Sequence, residues 1–197
     1  MTNPGDLPLL SRTASEWGRI ATDRLDLFLS DHAVCEQQAA QAALALISQY
    51  PQDDELVERM SALAAEEVAH LRRVLAVLRA RGAKLSKRRP NDYVAALRKG
   101  IDSDGEPFLE ADRLLVAALI EARSCERFAR VLEVVDDPAV RSLLEDLGPA
   151  EERHWRIFHA LARRLLPAEA FALRWQRWLE LERDLMAARG REPTVHG

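Results

Sequence analysis

Two Glu-x-x-His steps, Glu67/His70 and Glu151/His154, stand 84 residues apart in a chain whose pattern is otherwise helical. A further glutamate precedes each step: Glu36 lies 31 residues before Glu67, and Glu121 lies 30 before Glu151. The chain thus repeats one unit, a helical hairpin with Glu on its first arm and Glu-x-x-His on its second. Three positions along a helix amount to about 300° of turn, so the Glu and His of each step reach one site. Four carboxylates and two imidazoles on four antiparallel helices make a set that holds two divalent metal ions. Such a chain must pack its two hairpins with the acidic faces turned together.

One Glu-x-x-His step means little by itself, because Glu is common on helix surfaces. Facing decides. Glu36 shares its face with Leu29, Ala33, Ala40, Ala43 and Ile47, and Glu67 with Met60, Leu63, Val74 and Leu78. Glu121 sits among Leu114, Ala118, Cys125 and Phe128, and Glu151 among Leu144, Leu147, Trp155 and Phe158. All four therefore point inward, where charge is rare unless paired or metal-bound. Without metal they would be costly or take up protons. Two divalent cations would leave no net charge with neutral imidazoles. Carboxylate and imidazole donors suit iron or manganese, and the lack of thiolate donors argues against structural zinc.

The neighbouring acids read differently. Glu66 shares a face with Arg59 and Arg73, and Glu152 with Glu145 and Arg156, so both are expected in solvent with no ligand role. Glu126 competes with Glu121, since it follows Cys125 as Glu36 follows Cys35. Its face also carries Arg123, Arg130 and Glu133, and the hairpin midpoint at residue 136 favours Glu121. Glu126 is therefore assigned to the surroundings of the site or to the surface. His32, one turn before Glu36, is a candidate donor to that carboxylate. Cys35 and Cys125 read as small core residues near the site, and His196 in the tail carries no argument.

Composition agrees with one helical core in 197 residues: 48% are apolar, 30% charged, and Gly and Pro are few. A short helix is expected near Ser15–Ala21, then long helices over about 23–50, 53–81, 107–135 and 138–165, and another over about 167–189. The stretch 83–106 holds one short helix, Asp92–Lys99. Tight first and third connections with a long second one make an all-α, ferritin-like four-helix bundle, crossing over between its second and third helices. The whole chain, 1–197, reads as a single domain, with a bundle core at about 23–165 and an additional C-terminal helix. Pro149 should bend the fourth long helix just before Glu151. No apolar run approaches a membrane span, no secretory leader is visible, and two unpaired cysteines suit a reducing cytoplasm.

The segments LDLFLSDHAVCEQQAA (25–40), MSALAAEEVAHLRRVLAVLRARG (60–82), LIEARSCERFARV (119–131) and EERHWRIF (151–158) resemble the tRNA 2-methylthio-N6-isopentenyladenosine hydroxylase family. The likeness runs from about Asp23 to Met186. It implies a non-haem di-iron monooxygenase that hydroxylates the isopentenyl group of the modified adenosine at tRNA position 37. It also implies that Glu36, Glu67, His70, Glu121, Glu151 and His154 bind two iron ions, in preference to manganese. Dioxygen would be the co-substrate. Electrons would come from a separate reductase, because the chain lacks a G-x-G-x-x-G cofactor fingerprint.

On the substrate side, Lys84, Lys87, Arg88 and Arg89 in the crossover form a candidate phosphate-contact patch for tRNA. A solvated basic loop explains them equally well. Trp175 and Trp178 read as packing residues. A cytoplasmic monomer or dimer acting on tRNA, with no membrane association, is the leading expectation. The alternatives are a ferritin-like ferroxidase or peroxide-detoxifying protein with the same ligand set, and a metal-free helical interaction module.

Overall fold

The computed structural model describes residues 7–87, 91–101, 104–188 and 192–196, and among them the regular elements are all helices. They run α1 (Trp17–Thr22), α2 (Leu25–Gln49), α3 (Asp54–Ala80), α4 (Asp92–Lys99), α5 (Phe108–Leu132), α6 (Pro138–Leu165) and α7 (Ala168–Ala188). Local chemistry sets their ends. Asp53 caps α3 by accepting from the Leu56 N–H at 3.0 Å, and Asp54 and Glu55 favour the positive end of its dipole. At its other end Gly82 adopts φ +74°, and the N–H groups of Gly82 and Ala83 return to Arg79 O and Leu78 O. That left-handed closure is cheap only for glycine. Asp137 caps α6 with Pro138 just inside it, and Asn91 caps α4.

Tight connections pair α2 with α3 and α5 with α6 as antiparallel neighbours, and α3 packs on α6. The crossover between α3 and α5 carries α4, which turns Tyr93, Val94 and Leu97 into the core. The expected long crossover and added C-terminal helix are therefore present. One pairing is missing: no Cα of α2 comes within 8 Å of one in α5. At one end α1 bridges this gap. It approaches α5 so closely that a Cβ on Gly18 would lie 2.4 Å from Arg130 O.

The apolar core falls into two parts. One holds Leu46, Met60, Leu63, Leu114, Leu115, Phe158 and Trp178; the other holds Phe28, Leu29, Val74, Leu78, Phe128, Val131 and Leu144. On every bundle helix the inward Glu lies between the stretches feeding these two parts. The acids are thus held mid-bundle, between two apolar plugs.

Two expectations need correction. Helix α1 starts at Trp17, not Ser15, and α5 ends at Leu132, three residues early. More consequential is the outer face of α5, where the surface alternative for Glu126 fails. Arg123, Glu126 and Arg127 there are wholly buried, because residues 7–13, Trp17 of α1 and Glu182 of α7 pack on them. Helix α6 runs through Pro149 as one element.

Candidate metal centre

Glu36, Glu67, His70, Glu121, Glu151 and His154 are each 7% exposed or less. One donor atom from each of Glu36, Glu67, His70 and Glu151 lies within 4.8 Å of the others. The same holds for Glu67, Glu121, Glu151 and His154. Glu67 and Glu151 belong to both groups. The geometry is that of two adjacent sites sharing two carboxylates, each completed by one further Glu and one His. His70 Nδ1 stands 3.4 Å from Glu151, 3.5 Å from Glu67 and 3.7 Å from Glu36, and His154 Nδ1 lies 2.7 Å from Glu67.

These residues fit a metal pair by what they lack. Both Glu67 oxygens, Glu151 Oε1, His70 Nδ1 and His154 Nδ1 are buried with no hydrogen-bond partner of acceptable geometry. Orphaned buried acceptors are costly, and among the described residues the ion pairs of these six groups are with His and Glu, none with Arg or Lys. Protonation shows the same demand for positive charge. Burial and the neighbouring carboxylates push Glu36, Glu67 and Glu121 above the usual carboxylate range. Burial alone would lower His70, but Glu151, Glu36 and Glu67 together push it up to about 12. Carboxylate and imidazole donors suit iron or manganese.

Contacts around the cluster orient it. His32 is pushed down to about 4 by burial, so its ring is neutral, and Nε2–H donates to Glu36 Oε1 at 2.5 Å. Glu66 was expected to be a bystander in solvent. Its side chain is 45% exposed, yet its carboxylate accepts from His154 Nε2 at 3.0 Å and from Arg153. That hydrogen bond holds the His154 ring with Nδ1 turned to the cluster. Facing alone hid it, because a long surface side chain can reach back across the α3/α6 interface.

Glu126 is neither on the surface nor in the cluster. It accepts from Thr13 N and Oγ1 and from Arg123, with Arg130 nearby. Cys35 is half-buried and Cys125 buried, and both thiols are free. Lys84 and Lys87 are exposed in the crossover, while Arg88 and Arg89 lie outside the described residues.

The gap between α2 and α5 is a cavity of about 400 Å³, within the range of small-molecule sites. Glu36, Glu121 and Glu151 form its inner end. It extends past Ala39, Ala42, Ala45 and Ala117 to Gln49, Arg98 and Arg113. From Glu36 to Gln49 this is about 20 Å of helix. The Ala39/Ala42/Ala45 stripe was the sequence signal for this space. Small residues at helical spacing on a face away from α3 leave room rather than fill it.

A family model described as tRNA-(MS[2]IO[6]A)-hydroxylase (MiaE) matches residues 1–197. A tRNA 2-(methylsulfanyl)-N(6)-isopentenyladenosine(37) hydroxylase of Pseudomonas putida is 37% identical over 150 residues, covering 76% of this chain and 72% of its own. The enzyme of that name from Salmonella typhimurium is 29% identical over 219 residues, covering 87% and 80%. Among solved structures, "Protein 43 with aldehyde deformylating oxygenase activity from Synechococcus" superposes with TM-score 0.89 at 35% identity, over 96% of this chain and 95% of that one. The chain belongs to the tRNA-(MS[2]IO[6]A)-hydroxylase family.

Proposed function

We propose that this protein is an oxygen-dependent di-iron hydroxylase acting on the isopentenyl group of the modified adenosine at tRNA position 37. The observation that carries the reading is the apolar-walled cavity whose inner end is the carboxylate cluster. Glu36, Glu67, His70, Glu121, Glu151 and His154 would hold two iron ions, with Glu67 and Glu151 shared. When bound, the metal pair would supply the activation of dioxygen. The chain's own residues do the rest. Ala39, Ala42, Val116, Ala117, Ile120 and Phe158 give an aliphatic substituent a dry berth beside Glu36 and Glu121. Arg98 and Arg113 at the outer end would meet nucleotide phosphates. Lys84 and Lys87 flank Ser86, which bonds Ser30 near the other end of α2, so they would meet a more distant part of the tRNA. Entry of one substituted base into such a cavity requires it to leave its stack.

Electrons would come from a separate reductase, and tRNA as substrate places the reaction in the cytoplasm. No helix among the described residues is long and apolar enough to cross a membrane. The chain would work as one domain, as monomer or dimer. The Synechococcus structure's name adds a second reading, since an aldehyde chain would also suit an apolar cavity.

Metal analysis of the purified protein, followed by reduction and oxygen addition with isopentenylated tRNA, tests both. Two irons per chain and a nucleoside gain of one oxygen are expected. Iron without a tRNA product, but with loss of a fatty aldehyde, would install the second reading. Peroxide turnover alone would mark a detoxifying protein.

A further inference from the structure

Residues 192–196 lie against the α2/α5 gap as a strap. Glu192 O accepts from Trp17 Nε1 at 2.8 Å, and the Val195 N–H donates to Asp31 Oδ2 at 2.8 Å. Val195 is wholly buried in the core part around Phe28 and Phe128. His196 follows at 3% exposure and lines the cavity. Its ring stacks on Tyr93 of α4, with centroids 5.3 Å apart and planes 6° from parallel.

Both ring nitrogens are engaged. Nε2 lies 3.1 Å from Ser124 Oγ, which itself donates to Ile120 O, so Nε2–H is the donor. Nδ1 then accepts from Asn91 Nδ2 at 3.3 Å and lies 3.7 Å from the sulfur of Cys35, whose S–H donates to Asp31 Oδ2 at 3.9 Å. Burial pushes the ring down to about 3, in keeping with this neutral tautomer. Cys35 adjoins Glu36 on α2, and Ser124 lies three residues after Glu121 on α5. The imidazole therefore spans the gap between α2 and α5, at the level of the two carboxylates that are not shared. Nothing in the hydroxylation chemistry calls on it.

We propose that His196 is a positioning residue that determines substrate size: its ring is the wall that closes the inner end of the cavity beside Glu36 and Glu121. It limits what can approach the cluster to a slim aliphatic substituent on a purine. The substrate class rests on the function proposed above; the wall itself does not. The role is steric, so a planar apolar ring stacked on Tyr93 serves as well as imidazole. A mere tether between helices would instead depend on the hydrogen bonds.

Three proteins separate these: the full chain, His196→Ala and His196→Phe, each checked for cooperative melting. The first readout is alkylation of Cys35 in metal-free protein, located by mass spectrometry with Cys125 as internal reference. His196→Ala is expected to label Cys35 at least tenfold faster than wild type, and His196→Phe at close to the wild-type rate. Equal rates in wild type and His196→Ala, or equal acceleration in both variants, would overturn the wall. If His196→Ala fails to melt cooperatively, His196→Phe against wild type still decides: faster labelling in the folded Phe variant overturns the proposal, and protection supports it. The second readout is turnover of anticodon stem-loops bearing N6-isopentenyl- or N6-benzyladenosine. His196→Ala should raise the relative rate on the benzyl substrate tenfold, and His196→Phe should leave it low; an unchanged preference overturns the proposal. Should wild type turn over neither, the proposed function fails while the labelling result still stands.

Discussion

Two clusters of buried charge lie on opposite faces of α5, and they are solved in opposite ways. On the outer face, Arg123 reaches Glu126 at 3.0 Å and Glu182 at 2.8 Å, and Tyr93 and Thr13 fill the remaining acceptor positions. Each carboxylate there has a cationic partner and further donors. On the inner face, four carboxylates and two imidazoles meet, and among the described residues none of them pairs with an arginine or lysine, while several of their atoms lack partners. Burial is the same in both, so buried charge alone does not mark a metal site. Missing countercharge does. This also separates Glu121 from Glu126, five residues apart on one helix: one faces uncompensated acid, the other an arginine.

The largest expected effect comes from the inner cluster. Glu67→Gln removes a carboxylate shared by both candidate sites, so metal content should fall below one per chain and hydroxylation to background. The metal-free variant should melt higher than metal-free wild type, because a buried uncompensated charge is gone. Two irons retained in this variant would dissolve the contrast between the clusters.

Next is the outer cluster. Arg123→Met leaves Glu182 buried without its cation and Glu126 with only Arg130 at 3.5 Å, which costs about 3–5 kcal/mol. Denaturant unfolding should show this loss while metal content stays at wild-type level. Lost metal with unchanged stability would mean that the two faces are coupled.

A smaller change is expected for Glu66→Ala. Freeing His154 Nε2 should weaken metal affinity by roughly 10–100-fold, measured by competition with a chelator. Unchanged affinity would return Glu66 to the role of a surface acid.

The subtlest expectation concerns pH. In metal-free protein the folded state raises His70 to about 12 and raises Glu36, Glu67 and Glu121 above their ordinary range. The folded state then binds more protons than the unfolded chain, so stability falls as pH rises. For His70 the window opens near its ordinary value of 6.5 and extends to about 12. The melting temperature of metal-free protein should drop between pH 6.5 and 9, and metal should flatten the slope. A flat profile without metal would show that the inner cluster holds countercharge after all.

The bundle was legible because periodicity, Asp53, Gly82, Asp137 and Pro138 act within a few residues of themselves. The inward facing of Glu36, Glu67, Glu121 and Glu151 was legible for the same reason: a helix face is a local property. What lay beyond reach depended on which distant segment covers a face. For Glu126 its own helix left the surface and the surroundings of the site both open, until residues 7–13 and α7 close over it and Arg123. Glu66 looked idle until α6 brought His154 alongside. His196 carried no signal at all, since its partners Cys35, Asn91, Tyr93 and Ser124 lie up to 161 residues away. The chain by itself thus determined the helices, their order and the inward acids, through local hydrogen bonding and apolar spacing. Only tertiary packing decided which buried charges find a cation in the chain, and where α2 and α5 stand apart to leave a cavity.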